Sequence, residues 1–252
     1  MKVVGVIPAR YASTRFPGKP LVDILGKSMI ERVYLQAKKS NALDDVIVAT
    51  DDLRIFKHVK GFGGRVMMTG DNHPNGTSRC NEVISALEMN NENYDVVVNI
   101  QGDEPYIEPG HISELVRLFN DDKTEISSLS TLISDNKELF NSNVVKVVMD
   151  HGGKALYFSR QAVPFVMETQ QEEWLKKTSF YKHIGIYAYR TSILKSIANL
   201  PSMPLEQSER LEQLRWLEHG FSINIKNIDY KGVGIDTPED LKNLLTILAN
   251  KG

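Results

Sequence analysis

Four apolar runs alternate with amphipathic segments through the first half of this chain, and that alternation decides the fold class. The runs are residues 3–7, 45–49, 65–68 and 94–100. Each is apolar throughout rather than on every second residue, so each reads as a strand buried on both faces. Between them, Met29, Ile30, Val33, Tyr34 and Ala37 recur at helical spacing. Further helices are expected over Leu53 to Val59, around Val83 to Leu87, and along the face formed by Ile112, Leu115, Val116 and Phe119. Strand after helix after strand predicts a parallel sheet covered on both sides.

The second half departs from this pattern. Val144 to Met149 and Ala155 to Phe158 flank Asp150-His151-Gly152-Gly153, which predicts a hairpin with an Asx/Gly turn. Ile184 to Tyr189 predicts another strand. Leu211, Leu214 and Leu217 mark one helix, and Leu241, Leu244 and Leu248 a C-terminal one. No repeat or low-complexity tract interrupts the chain. The expected organisation is one α/β domain over residues 1–252, with a β-rich insertion at roughly 140–215.

Composition narrows the function classes. In 252 residues, 30 Lys and Arg oppose 32 Asp and Glu for a net charge of −2, so no global basic excess favours nucleic acid or an anionic membrane. The longest apolar runs are strand-sized, far short of the ~20 residues that span a bilayer. The first residues are too short an apolar stretch for a secretory signal. A single cysteine, Cys80, allows no internal disulfide, and six scattered histidines make no zinc cage. A soluble, cytoplasmic protein is expected.

In a parallel α/β sheet, ligands bind in the loops at the carboxyl ends of the strands. Four such loops carry chemistry here. The first holds Arg10, Arg15 and Lys19, with Ser13 and Thr14 among them. Three cations in ten residues suit phosphate oxygens, Arg as a fork and Lys as a point charge. Charge alone reads equally as a solvated loop, and only the position favours phosphate. A Walker A loop would place glycine where Ser13 stands, and no Gly-x-Gly-x-x-Gly occurs. The second loop is Gln101-Gly102-Asp103-Glu104-Pro105. Asp103 suits Mg²⁺, or else ends the strand and caps the helix around Pro109.

The third is Gly232-Val233-Gly234-Ile235-Asp236-Thr237-Pro238-Glu239-Asp240. Thr237 and Pro238 read as the N-cap and first residue of the last helix, which leaves Asp236 as the better ligand. The fourth, His73 to Arg79, carries Gly76 at a turn, and Thr77 or Ser78 is expected to cap the helix that follows.

Taken together, these stretches resemble the 3-deoxy-manno-octulosonate cytidylyltransferase family. The resemblance is carried by Ile7 to Leu21, Val48 to Asp52, Asn99 to Pro105, Ala155 to Arg160, Lys182 to Tyr187, Leu211 to Arg215 and Asp236 to Asp240, in order along nearly the whole chain. It implies a Rossmann-like nucleotidyltransferase fold with a mostly parallel sheet and an inserted β-rich part for dimerisation and sugar binding, working as a homodimer. It implies transfer of CMP from CTP to 3-deoxy-D-manno-octulosonate (Kdo), for lipopolysaccharide biosynthesis.

Carried over residue by residue, Arg10, Ser13 and Lys19 hold the CTP phosphates with Arg15 nearby. Gly76, Arg79 and Gln101 frame the cytosine, and Asp103 and Asp236 carry Mg²⁺. Arg160, His183, Tyr187, Glu212 and Gln213 line the sugar-acid pocket. Lys19, Arg10, Asp103 and Asp236 are then the catalytic set. Ser78 stands where the family usually has an acidic residue. On the residues alone, Tyr187 reads also as core, His183 as a satisfied buried histidine, and Glu212 and Gln213 as a solvated flank. Two alternatives stay open: a cytidylyltransferase for another acid sugar, 8-amino-Kdo or a sialic acid, and a nucleotide-binding module without chemistry.

Overall fold

The computed structural model describes residues 1–12, 16–230, 232 and 234–249. Within it the chain divides into two compact units, residues 1–113 with 231–252, and residues 114–230.

The first unit opens with strand β1 (Val3–Ala9), a two-stranded turn of β2 (Asp23–Ile24) and β3 (Lys27–Ser28), and helix α1 (Met29–Ala37). It continues through β4 (Asp45–Thr50), α2 (Leu53–Gly61), β5 (Val66–Met68), α3 (Gly76–Met89), β6 (Val96–Asn99) and α4 (Pro109–Arg117), within which the unit ends. Its sheet runs in the order β6-β1-β4-β5, and every pair is parallel. The expected β-branched runs form these strands, and β1 and β4 are buried nearly end to end. α1 begins at Ser28, whose hydroxyl accepts the Glu31 amide hydrogen, and it buries all five of the residues read as its apolar face. Asp52 caps α2 in the same manner.

The second unit holds β7 (Ile126–Leu132), α5 (Asn136–Leu139), β8 (Lys146–Met149), β9 (Ala155–Ser159), α6 (Trp174–Lys177) and β10 (Tyr181–Arg190). α7 (Thr191–Ile197), α8 (Pro204–Glu209), α9 (Glu212–Glu218) and β11 (Ile223–Asn227) follow, and α10 (Pro238–Ala249) belongs again to the first unit. β7 pairs antiparallel with β10 and parallel with β11, so this sheet is mixed. The expected hairpin is β8–β9, closed by Asp150, whose carboxylate accepts from the amides of Gly152 and Lys154. The α/β class with a mostly parallel sheet and a β-rich second part is as expected.

Strands β7 and β11 escape a periodicity reading. β7 is Ile-Ser-Ser-Leu-Ser-Thr-Leu, yet Ser127, Ser128 and Ser130 are fully buried. Their hydroxyls reach partners inside the unit, the Ser127 hydroxyl donating to the Leu115 carbonyl at 3.0 Å. That hydrogen bonding is what makes polar residues tolerable in an interior strand.

Candidate active site

The first unit gathers the basic and acidic loops around one cleft. β1 ends at Ala9, and Arg10 turns back so that its guanidinium donates to the carbonyls of His73 and Asp71. Gly18 adopts φ +73, a left-handed conformation that glycine takes without strain, while its amide donates to the Tyr11 carbonyl at 2.9 Å. That turn delivers Lys19. Its ammonium lies 2.8 Å from a carboxylate oxygen of Asp103 and 3.2 Å from one of Asp236.

The two aspartates meet because their backbones are tied. The Ile235 amide donates to the Asp103 carbonyl at 3.0 Å. Before that, Gly102 passes so close to β1 that a Cβ there would stand 2.9 Å from the Pro8 carbonyl oxygen. α10 starts as read, with Pro238 first and the Thr237 hydroxyl accepting from the Asp240 amide at 3.2 Å. The Asp240 carboxylate in turn accepts from the Thr237 hydroxyl and from the amides of Asp236 and Thr237. Burial opposes ionisation of Asp240, but these hydrogen bonds outweigh it and hold its carboxyl below the usual range. Thr237 and Asp240 thus serve the helix start, and the Asp236 side chain faces Lys19.

The fourth loop corrects one reading. Asn75 caps α3, accepting the Ser78 amide hydrogen at 2.9 Å, and Thr77 and Ser78 lie inside the helix. Arg79, expected to frame the base, is 1 % exposed; it donates to the Thr69 hydroxyl and, at 3.0 Å, to the Asp51 carboxylate. Cys80 beside it is buried.

Arg10, Lys19, Gly76, Arg79, Gln101 and Asp103 all line one cleft of about 390 Å³. Ser13 and Arg15 lie outside the described residues. Sequence reasoning gave no role to Asp51 or Thr69. The signal for Asp51 was present in Thr50-Asp51-Asp52: Asp52 alone suffices to cap α2, so a second acid at the end of a buried strand lacks a local reason.

The remaining candidates belong to the second unit. A bulge in β10 between Ile184 and Tyr187 keeps His183 and Tyr187 on one face, opposite Ser130 and Ser128, with ring centroids 5.3 Å apart. The Ser128 hydroxyl donates to the Ile186 carbonyl at 2.8 Å, so it accepts from His183 Nε2 at 2.9 Å. Nε2 thus carries a proton, and desolvation keeps the ring neutral near pH 7, which leaves Nδ1 as an acceptor. Burial drives its pKa down to about 3.

The Tyr187 hydroxyl is buried without a hydrogen-bond partner. Burial first, then Tyr189 and the Glu212 carboxylate, push its pKa well above that of free tyrosine. Gln213 is buried rather than on a solvated flank, and Glu212 is half-buried. Arg160 donates to the carbonyls of Glu209, Ser142 and Arg210, which ties it to the corner leading into α9.

The donor set fits a hard divalent cation. Two carboxylates from distant parts of the chain already converge on one cationic atom, Lys19 Nζ. No group of three or more His, Cys, Asp or Glu able to hold a metal occurs among the described residues. Two carboxylates, with water and phosphate completing the shell, are what Mg²⁺ accepts, whereas a structural zinc demands four protein ligands. Among the described residues, no helix is long and apolar enough to cross a membrane.

A parallel α/β unit with a basic loop and an acidic pair at one cleft is an arrangement suited to nucleotidyl transfer, and known proteins of that class are similar to this chain. The cytidylyltransferase family model matches residues 4–228. A 3-deoxy-manno-octulosonate cytidylyltransferase of Parabacteroides distasonis is 51 % identical over the whole of both chains, and one of Bacteroides thetaiotaomicron is 48 % identical, again over the whole of both. The solved structure of a CMP:2-keto-3-deoxy-manno-octonic acid synthetase complexed with CTP matches all of both chains with a TM-score of 0.92 at 39 % identity. The chain belongs to the 3-deoxy-manno-octulosonate cytidylyltransferase family.

Proposed function

We propose that the chain transfers CMP from CTP to the anomeric hydroxyl of Kdo, releasing pyrophosphate, and so supplies an activated sugar acid for lipopolysaccharide assembly. The observation that carries the reading is Lys19, held between Asp103 and Asp236 in the cleft of the first unit. The sugar oxygen attacks the α-phosphorus, the bond from that phosphorus to the bridging oxygen of the β-phosphate breaks, and the hydroxyl proton leaves to solvent. Such transfers need positioning and charge neutralisation more than covalent help from protein.

Arg10 and Lys19 hold the triphosphate and offset the charge that builds on pyrophosphate, with Ser13 and Arg15 supporting them. Gly76, Arg79 and Gln101 accommodate the base. Asp103 and Asp236 would hold Mg²⁺, whose chemistry is to neutralise phosphate charge and acidify the attacking hydroxyl. In the second unit, neutral His183 accepts from a sugar hydroxyl through Nδ1, and the Tyr187 hydroxyl, lacking an internal partner, donates to another. Glu212 and Gln213 extend that surface, and Arg160 supplies the cation for the sugar carboxylate.

We further propose a cytoplasmic homodimer. Leu132, Leu156, Phe165 and Met167 of the second unit are between 51 % and 73 % exposed, an apolar display that a second copy would cover.

The test is pyrophosphate release from CTP and Mg²⁺, with Kdo, 8-amino-Kdo and a sialic acid supplied separately. Release with Kdo is the expected result. Release only with another sugar overturns the substrate, and silence with all three despite CTP binding overturns the activity.

A further inference from the structure

We propose that Asp51 is a positioning residue for the nucleotide: its carboxylate, shared between Arg10 and Arg79, fixes both guanidinium groups in the CTP cleft. The inference rests on the cytidylyltransferase reading above.

Asp51 follows directly on β4, at the carboxyl end of a buried strand. Its neighbour Asp52 has a local task, accepting the Arg54 amide hydrogen at 2.8 Å. Asp51 instead points across the unit. It accepts from an Arg79 terminal nitrogen at 3.0 Å and lies 3.9 Å from Arg10 Nε. Arg79 needs a charged partner, because its side chain is 1 % exposed and its other anchor, Thr69, is neutral. A guanidinium withdrawn from water needs a compensating charge.

Arg10 and Arg79 line the cleft of about 390 Å³, and Asp51 is not among its lining residues. Asp51 therefore acts from behind the contact surface, through the two arginines. Its carboxylate also offsets the repulsion between two like charges held on one partner. Arg10 comes from the loop after β1 and Arg79 from α3, so a single side chain sets two separate elements against the same ligand.

The positioning role has a sign that simple charge cannot mimic. CTP is strongly anionic, and removing an acid near its site by charge alone tightens its binding. Removing a positioning group loosens it. The measurement is CTP affinity by titration calorimetry, together with KM for CTP and for Kdo, in wild type and Asp51→Asn, with Tm recorded for each. The expected result is a KM for CTP raised roughly ten- to hundredfold, the scale of one lost charged hydrogen bond. KM for Kdo should stay unchanged, while Tm falls because the buried Arg79 loses its compensating charge.

CTP affinity that is unchanged or tighter overturns the proposal. So does an equal loss of affinity for both substrates, which would make Asp51 a fold residue rather than a positioning one. If Asp51→Asn does not fold, Asp51→Glu, which keeps the charge but displaces it by one methylene, carries the same test with the same outcomes. Wild-type turnover of CTP with Kdo is the control: its absence overturns the function, whereas its presence beside an unaltered Asp51→Asn overturns only the positioning.

Discussion

The Lys19 ammonium stands 2.8 Å from the Asp103 carboxylate, joining two loops that are 84 residues apart in the chain. Asp236 completes the arrangement from the far end of the sequence, at 3.2 Å. Thr237 caps α10, so the start of that helix does not depend on the Asp236 side chain. Asp103→Asn and Asp236→Asn are each expected to lower kcat a hundredfold or more while CTP still binds, the scale for losing one electrostatic stabiliser. Steady-state pyrophosphate release checks this, and near-normal turnover in either variant would remove the acidic pair from the chemistry.

Arg160 donates to three backbone carbonyls on two other chain segments. Among them is Arg210, whose φ of +53 marks the sharp corner just ahead of Glu212 and Gln213. Arg160→Ala should therefore raise KM for the sugar acid well above any change in KM for CTP, with a lowered Tm as the corner loosens. Initial rates with each substrate varied in turn separate the two; a selective rise in KM for CTP would move Arg160 to the nucleotide side.

Tyr187 offers a clean separation of site from core. Its hydroxyl is buried with no partner, so Tyr187→Phe removes an unsatisfied group and leaves the ring packing against Trp216 intact. Tm should be unchanged or slightly raised, while KM for the sugar acid increases several-fold. Unchanged kinetics would return Tyr187 to the core.

Burial of neutral His183 gives stability a dependence on pH. The unfolded chain takes up the proton near pH 6.5, whereas the folded protein takes it up only near 3. The contribution is fully present above pH 6.5 and is lost progressively as pH falls toward 3. Between pH 6.5 and 5 wild type should lose about 2 kcal/mol more than His183→Gln, at about 1.4 kcal/mol per pH unit. The depressed carboxyls, Glu82, Glu206 and Asp240, titrate below that window. Urea unfolding of both proteins at several pH values tests it, and parallel curves would contradict the burial argument.

What the sequence made legible follows the physics of each element. β1, β4 and β6 announce themselves because strands buried on both faces must be apolar, and α1 because its apolar residues recur at helical spacing. Asp236 is legible by elimination, once Thr237 is seen to cap the helix. β7 is not, because its buried serines imitate a loop and their partners are distant in sequence. The partner of Asp51 stayed hidden for a related reason: Arg79 lies 28 residues on, and no spacing rule links an acid at a strand end to a cation within a helix. The burial of Gln213 is likewise a tertiary outcome that a polar letter does not disclose.

The first unit is assembled from two separated stretches, residues 1–113 and 231–252. On the ribosome, therefore, a nascent chain of 230 residues already holds Arg10, Lys19, Arg79 and Asp103, but it has neither Asp236 nor the Ile235 amide that ties it to Asp103. Synthesis interrupted before residue 236 leaves Lys19 without its Asp236 partner. Translation order thus makes the acidic pair late to form, and a prematurely released fragment of this chain is expected to lack the turnover proposed for the whole.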